Sequence, residues 1–241
     1  MRNWNDVSCD EVFNAMMDSA LDEVDKMVKD GVYKFGPDRK TCKDIGIPFA
    51  NLNLIFTRGN RYLVREFNRY KKLGYDKRQL KNEMFNEIER EGGIISNYTP
   101  ACTNTTFFEI KDTHLCCAPE TAIYINTDQI VSKLLKWKDN NDVYNQLILI
   151  LKHELGHAVD FLSFCGKPYS EVIAELDRRD KIEKGIKRRI NKLRDSEDPK
   201  DNKEYIRAYN EELPAEIMAN KCAKFTDDEY KRYLKYAMSY D

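Results

Sequence analysis

The chain has 241 residues, a formal net charge of −1 and a charged fraction of 34%. That length allows a sizeable core, and a charge so close to zero gives no global field toward nucleic acid or a membrane surface. No apolar run approaches a bilayer-spanning length, and the opening MRNWNDVSCDEVF lacks the apolar stretch of a signal peptide. Seven cysteines, without the spacing of a small disulfide scaffold, point to a reducing, cytoplasmic-type compartment.

Val12, Met16, Ala20, Val24 and Met27 recur at helical spacing and predict an amphipathic helix over 9–30, with Gly31 as its stop. A loop rich in Gly and Pro is expected from there to about Asn53. Two further helices are expected at 60–73 and 76–91, bounded by Gly74, Asp76 and the pair Gly92-Gly93. Residues 1–93 thus read as an N-terminal helical region. Within it, 57–81 carries nine Lys or Arg against two acids, interleaved with Tyr62, Phe67 and Tyr70. Such a segment can bind nucleic acid, but an amphipathic helix pair with its charges in water is the favoured reading.

From residue 94 the character changes. TFFEIK (106–111) and TAIYIN (121–126) are short, β-branched and aromatic, and read as strands. Between and before them lie Cys102, His114, Cys116 and Cys117. Adjacent cysteines fit one tetrahedron poorly and the spacing matches no common finger, so structural or incidental thiols are expected. A short helix over 128–137 is followed by a long one over about 142–163. Residues 171–211 are dense in charge and predict a long helix or hairpin broken near SEDP, an insertion on the surface. ELPAEIMANKCAKF then begins a packed helix with Pro214 in its first turn, and a last helix covers 227–238.

The long helix contains LILILKHELGHAVDF. His153 and His157, at i and i+4, aim two imidazoles at one place, with Glu154 beside them. This HExxH pattern is a zinc-hydrolase signature: the ion lowers the pKa of a bound water and the glutamate takes its proton. The surrounding aliphatics bury the helix, where polar groups need partners. Gly156 lets the helix approach a neighbouring backbone closely. Catalytic zinc takes a third protein ligand, and no further histidine follows, so a carboxylate is expected. Two segments share the pattern ExxAE, one ending at Glu175 after Glu171, the other at Glu216 after Glu212.

HELGHAVD followed by a helical glutamate resembles the gluzincin metallopeptidases, and among them the catalytic domains of anthrax lethal factor and the Pro-Pro endopeptidases. That family reads HExxHAxD and later AExxAE; here His153, Glu154, His157, Ala158 and Asp160 match the first motif, and Ala215, Glu216 and Ala219 the second. Asn220 replaces the final glutamate, which is more similar to the ExxAN of ImmA/IrrE-type regulatory peptidases. The resemblance implies Glu216 as third zinc ligand and Tyr209, seven residues earlier, as a stabiliser of the transition state. Glu216 is also favoured over Glu171 and Glu175 because its segment is the more apolar, and Asn220 one turn on can bond a ligand imidazole. Asp160 is expected to do the same or to cap the helix end.

The expectation is therefore an α+β, zincin-like domain over 94–241: a small mixed sheet, an active-site helix and a glutamate-bearing helix. It would be a Zn2+ endopeptidase acting on protein or peptide, with TAIYIN as the edge strand that receives substrate. Two alternatives stay open. One is a regulatory or structural, possibly phage-encoded, zincin-fold protein with little proteolysis. The other is a nucleic-acid-associated protease anchored through 57–81.

Overall fold

The computed structural model describes residues 9–59, 72, 74, 94–95, 100–136, 139–194 and 198–237. Among them are eight helices and six strands in a mixed α+β arrangement. Helix α1 (Cys9–Lys29) forms where the apolar spacing predicts it: Val12, Met16 and Ala20 are fully buried, and Gly31 beyond its end has φ +69°. The expected Gly/Pro loop is more ordered than its composition suggests. It holds α2 (Arg39–Ile45), capped by the Asp38 carboxylate accepting from Thr41 N and closed by Gly46 at φ +73°. Strand β1 (Asn51–Gly59) follows. The helices expected at 60–73 and 76–91, and nearly all of the basic segment, lie outside the described residues.

The remaining strands are β2 (Ile94–Ile95), β3 (Ala101–Thr105), β4 (Phe108–Ile110), β5 (Leu115–Cys117) and β6 (Glu120–Asn126). One sheet has the order β2-β1-β6-β3. Strand β1 runs parallel to β6, from Asn51↔Glu120 to Thr57↔Asn126, and β3 runs antiparallel to it, from Ala101↔Ile125 to Thr105↔Thr121. TAIYIN is therefore an interior strand, paired on both sides, and not the edge expected of it. Its alternation is that of a central strand, with Thr121, Ile123 and Ile125 buried. The edge beside the long helix is β3, whose outer side pairs with no strand among the described residues. Strands β4 and β5 form a separate hairpin, which narrows the strand expected over TFFEIK to its middle.

Helices α3 (Thr127–Lys136), α4 (Asn140–Leu162), α5 (Tyr169–Arg194), α6 (Pro199–Glu212), α7 (Pro214–Cys222) and α8 (Asp227–Ala237) complete the chain. Helix α4 lies in one core with α1 and the sheet: Val12 and Met16, Ile123 and Ile125, and Val143, Leu151 and Leu155 belong to a single buried cluster. Residues on both sides of position 93 thus share this core, and the region read as helices joined by a loop also contributes β1 to the sheet. The charged stretch is a pair of packed helices, with Ile190, Ala208 and Leu213 buried between α5, α6 and the start of α7. No described helix is long and apolar enough to cross a membrane.

Candidate metal centre

Helix α4 starts at Asp139, whose carboxylate accepts from Asn141 N at 2.9 Å. Its aliphatic run then carries His153, Glu154 and His157 into the interior, where they are 4%, 6% and 9% exposed. The two imidazoles stand nearly perpendicular with centroids 4.8 Å apart. Helix α7 crosses beside them. The crossing is close because Gly156 faces the Ala219 carbonyl; a Cβ at 156 would lie 2.1 Å from that oxygen. This contact places Glu216, in the first turn of α7, against both histidines. Glu216 Oε2 is 3.1 Å from His153 Nε2 and 3.8 Å from His157 Nε2, and one ligand atom from each of the three residues lies within 4.8 Å of the others.

The protons at this site follow from one amide. Asn220 Nδ2 donates to the Asn210 carbonyl at 3.3 Å, which turns its Oδ1 toward His153 Nδ1 at 2.8 Å. An amide oxygen only accepts, so Nδ1 of His153 carries a proton. Its Nε2 then has two options: a second proton, shared with Glu216, or a lone pair directed at a cation. Two imidazole nitrogens and a carboxylate oxygen meeting in a buried site are the donor set of a three-ligand catalytic zinc, and the residues present fit that ion. His157 Nδ1 is buried and has no hydrogen-bond partner among the described residues.

Protons and a metal ion would compete for these atoms. Burial pushes His157 down, but the nearby Glu216 carboxylate and the charges of Glu154 and Asp160 outweigh it, and the net shift is upward from 6.5. Burial pushes Glu216 up, but the two neighbouring imidazoles hold it well below 4.5. In the metal-free protein the raised imidazole stabilises the fold fully below 6.5 and loses that contribution as pH rises through its folded value. The depressed carboxyl contributes above 4.5 and loses it as pH falls through its folded value. The metal-free site is thus most stabilising between those two ordinary values. A zinc ion bound there would displace the imidazole proton, so any stabilisation by added zinc should grow from about pH 6 to about pH 8. Thermal midpoints with and without zinc check this; a zinc-induced gain that shrinks over the interval contradicts it.

The rival carboxylates are elsewhere. Glu171 is exposed in the first turn of α5. Glu175 accepts from Arg178 Nε at 2.7 Å and Arg179 Nε at 2.8 Å, and these hydrogen bonds hold it down at about 2. Asp160 does not serve as expected either. Its buried carboxylate pairs with Arg179 Nη1 at 2.5 Å, so α5 reaches in to neutralise the last turns of α4. If the three residues hold zinc, Glu216→Ala should weaken its binding at least about 100-fold, as loss of a direct ligand exceeds loss of a supporting bond, whereas Glu175→Ala should leave it unchanged. Competition with a chromophoric chelator measures both, and the reverse pattern would show that α7 is not part of the site.

Tyr209, on α6, is partly buried against Ile190, Ala208 and Leu213. Its hydroxyl is pushed above the ordinary tyrosine value by the charge of Glu216 first, then by burial, with Glu154 adding to it. The phenol thus lies within the field of both carboxylates, although Pro214 starts a new helix between Tyr209 and Glu216. The four-residue thiol group does not assemble around a common point. Cys102 is on β3, where burial and then the Glu154 charge push its thiol up to about 11. His114 is exposed and bonded to Glu109 at 2.7 Å, while Cys116 and Cys117 are buried.

Three contacts of the site were not read from sequence. Thr103 Oγ1, on β3, is 2.7 Å from Glu154 Oε2 and 3.0 Å from the Glu154 carbonyl oxygen. Tyr233, on α8, stacks on the His153 ring at 4.8 Å. Lys152 Nζ holds both oxygens of Glu229, at 2.7 and 2.8 Å, and so ties α8 to the site helix. Glu229 and Tyr233 stand four residues apart on one face of α8, a spacing that could have pointed to them. Comparison of the chain with protein-family models, curated proteins and solved structures returned no match.

Proposed function

We propose that the chain is a zinc-dependent metalloendopeptidase with a zincin-like catalytic architecture. His153, His157 and Glu216 would hold the ion through two imidazole nitrogens and one carboxylate oxygen. Zinc supplies Lewis acidity toward a peptide carbonyl and a water of lowered pKa. Glu154 takes a proton from the attacking water and passes it to the leaving amine. The Tyr209 hydroxyl donates to the carbonyl oxygen as it gains charge. The substrate is a protein or peptide in extended form, added to the outer side of β3, in a reducing, cytoplasmic-type compartment.

The observation that carries this reading is the convergence of His153, His157 and Glu216, with Glu154 on the same helix and bonded to the edge strand. Elemental analysis of the purified, dialysed protein, paired with a peptide-library cleavage assay, tests it. One zinc per chain and metal-dependent cleavage are expected. A folded protein that neither holds nor takes up zinc overturns the proposal.

A further inference from the structure

We propose that Thr103 is a positioning residue for Glu154, linking the edge strand to the base; this rests on the hydrolase reading above. Thr103 lies at the centre of β3, opposite Ile123 on β6. Its hydroxyl oxygen is 2.7 Å from the carboxylate Oε2 and 3.0 Å from the main-chain carbonyl oxygen of the same residue. A hydroxyl carries one proton, and a donor to an ionised oxygen makes the stronger bond. The bond to Oε2 fixes which carboxylate oxygen faces the strand. That leaves Oε1, which accepts nothing among the described residues, as the oxygen available to a proton.

The energetic case comes from burial. Glu154 is 6% exposed, and a carboxylate so placed needs a donor to stay oriented. Thr103 supplies that donor from the strand whose other side is open among the described residues. A peptide laid along β3 therefore shares one strand with the group that aims the base. A threonine serving the sheet alone has no need of the carboxylate bond, and valine would serve as well, being β-branched and of the same shape.

The experiment loads the full chain with cobalt(II) and titrates acetohydroxamate, a metal chelator whose hydroxyl proton passes to the base, following the visible absorption of the ion. Thr103→Val should weaken binding about 10-fold, the scale of one hydrogen bond to a charged group, and Thr103→Ser should restore it. Glu154→Gln should also weaken binding, and Thr103→Val should add nothing in that background. Cobalt content and circular dichroism check that each variant is folded and loaded, with Thr103→Ala replacing the valine variant if that one is not. Parent-like binding by Thr103→Val, with Glu154→Gln weakened, overturns the role of Thr103 and leaves the hydrolase reading standing. Additive losses in the double variant do the same. Parent-like binding by Glu154→Gln, or no binding by the parent, overturns both.

Discussion

Glu154→Gln is expected to retain one zinc per chain and to lose at least about 100-fold in kcat, the lower end of what a general base contributes. The substitution removes the proposed base and none of the three atoms proposed to hold the metal. It also preserves the local structure, because a glutamine oxygen can still accept from Thr103 Oγ1 where Glu154 Oε2 does now. Burial does not oppose the change, since a neutral amide replaces a carboxylate that is 6% exposed. Cleavage of a peptide selected from the library, measured at full zinc occupancy, gives the result. Near-parental turnover would remove Glu154 from the reaction and leave the metal site without its proton acceptor.

Gly156→Ala is expected to damage both fold and metal site. The new Cβ would stand 2.1 Å from Ala219 O, 2.9 Å from Ala219 C and 3.0 Å from Ala223 N, all backbone atoms of α7 and its C-cap. No side chain can turn aside, so α7 must move off α4. Overpacking of this kind costs about 3 kcal/mol or more, which for a chain of this size lowers the thermal midpoint by roughly 6–12 °C. The moving helix carries Glu216 and Asn220, so zinc affinity falls with stability. Gly185→Ala on α5 is the control: nothing lies within 4 Å of its Cβ, and alanine is the better helix former by about 1 kcal/mol. Unchanged stability and zinc affinity in Gly156→Ala would mean that the two helices do not cross as closely as described.

The site helix was legible because its information is local. His153, Glu154 and His157 share one helical face, and the aliphatics around them mark burial. Glu216 was legible through the apolar stripe of its segment, the AExxA motif and Asn220 one turn on. What was not legible depends on pairing between distant segments. NLNLIFTRG alternates asparagine with leucine after a Gly/Pro-rich stretch, so the start of β1 reads as loop and its remainder as no defined element. ACTNT has little apolar content, so β3, and with it Thr103, passed unnoticed. The strand TAIYIN was found, but its place inside the sheet is set by two partners that its own residues do not name. Likewise the density of charge over 171–211 correctly indicates helices, but not that Arg179 turns inward to Asp160.

The parallel pairing of β1 with β6 sets the order in which this protein can assemble. Asn51 must find Glu120, and closing a loop of that span has an entropic cost before any ladder bond returns it. Helix α4 needs only its own residues. Helicity should therefore rise early in refolding, with the sheet following on the slower timescale of non-local contacts. The two histidines travel together on the early element, while Glu216 arrives on a helix that follows two others in the chain and seats only where Gly156 admits it. Refolding in the presence of cobalt would separate the phases: far-ultraviolet circular dichroism reports the helices, and the visible spectrum of the coordinated ion reports the last docking step.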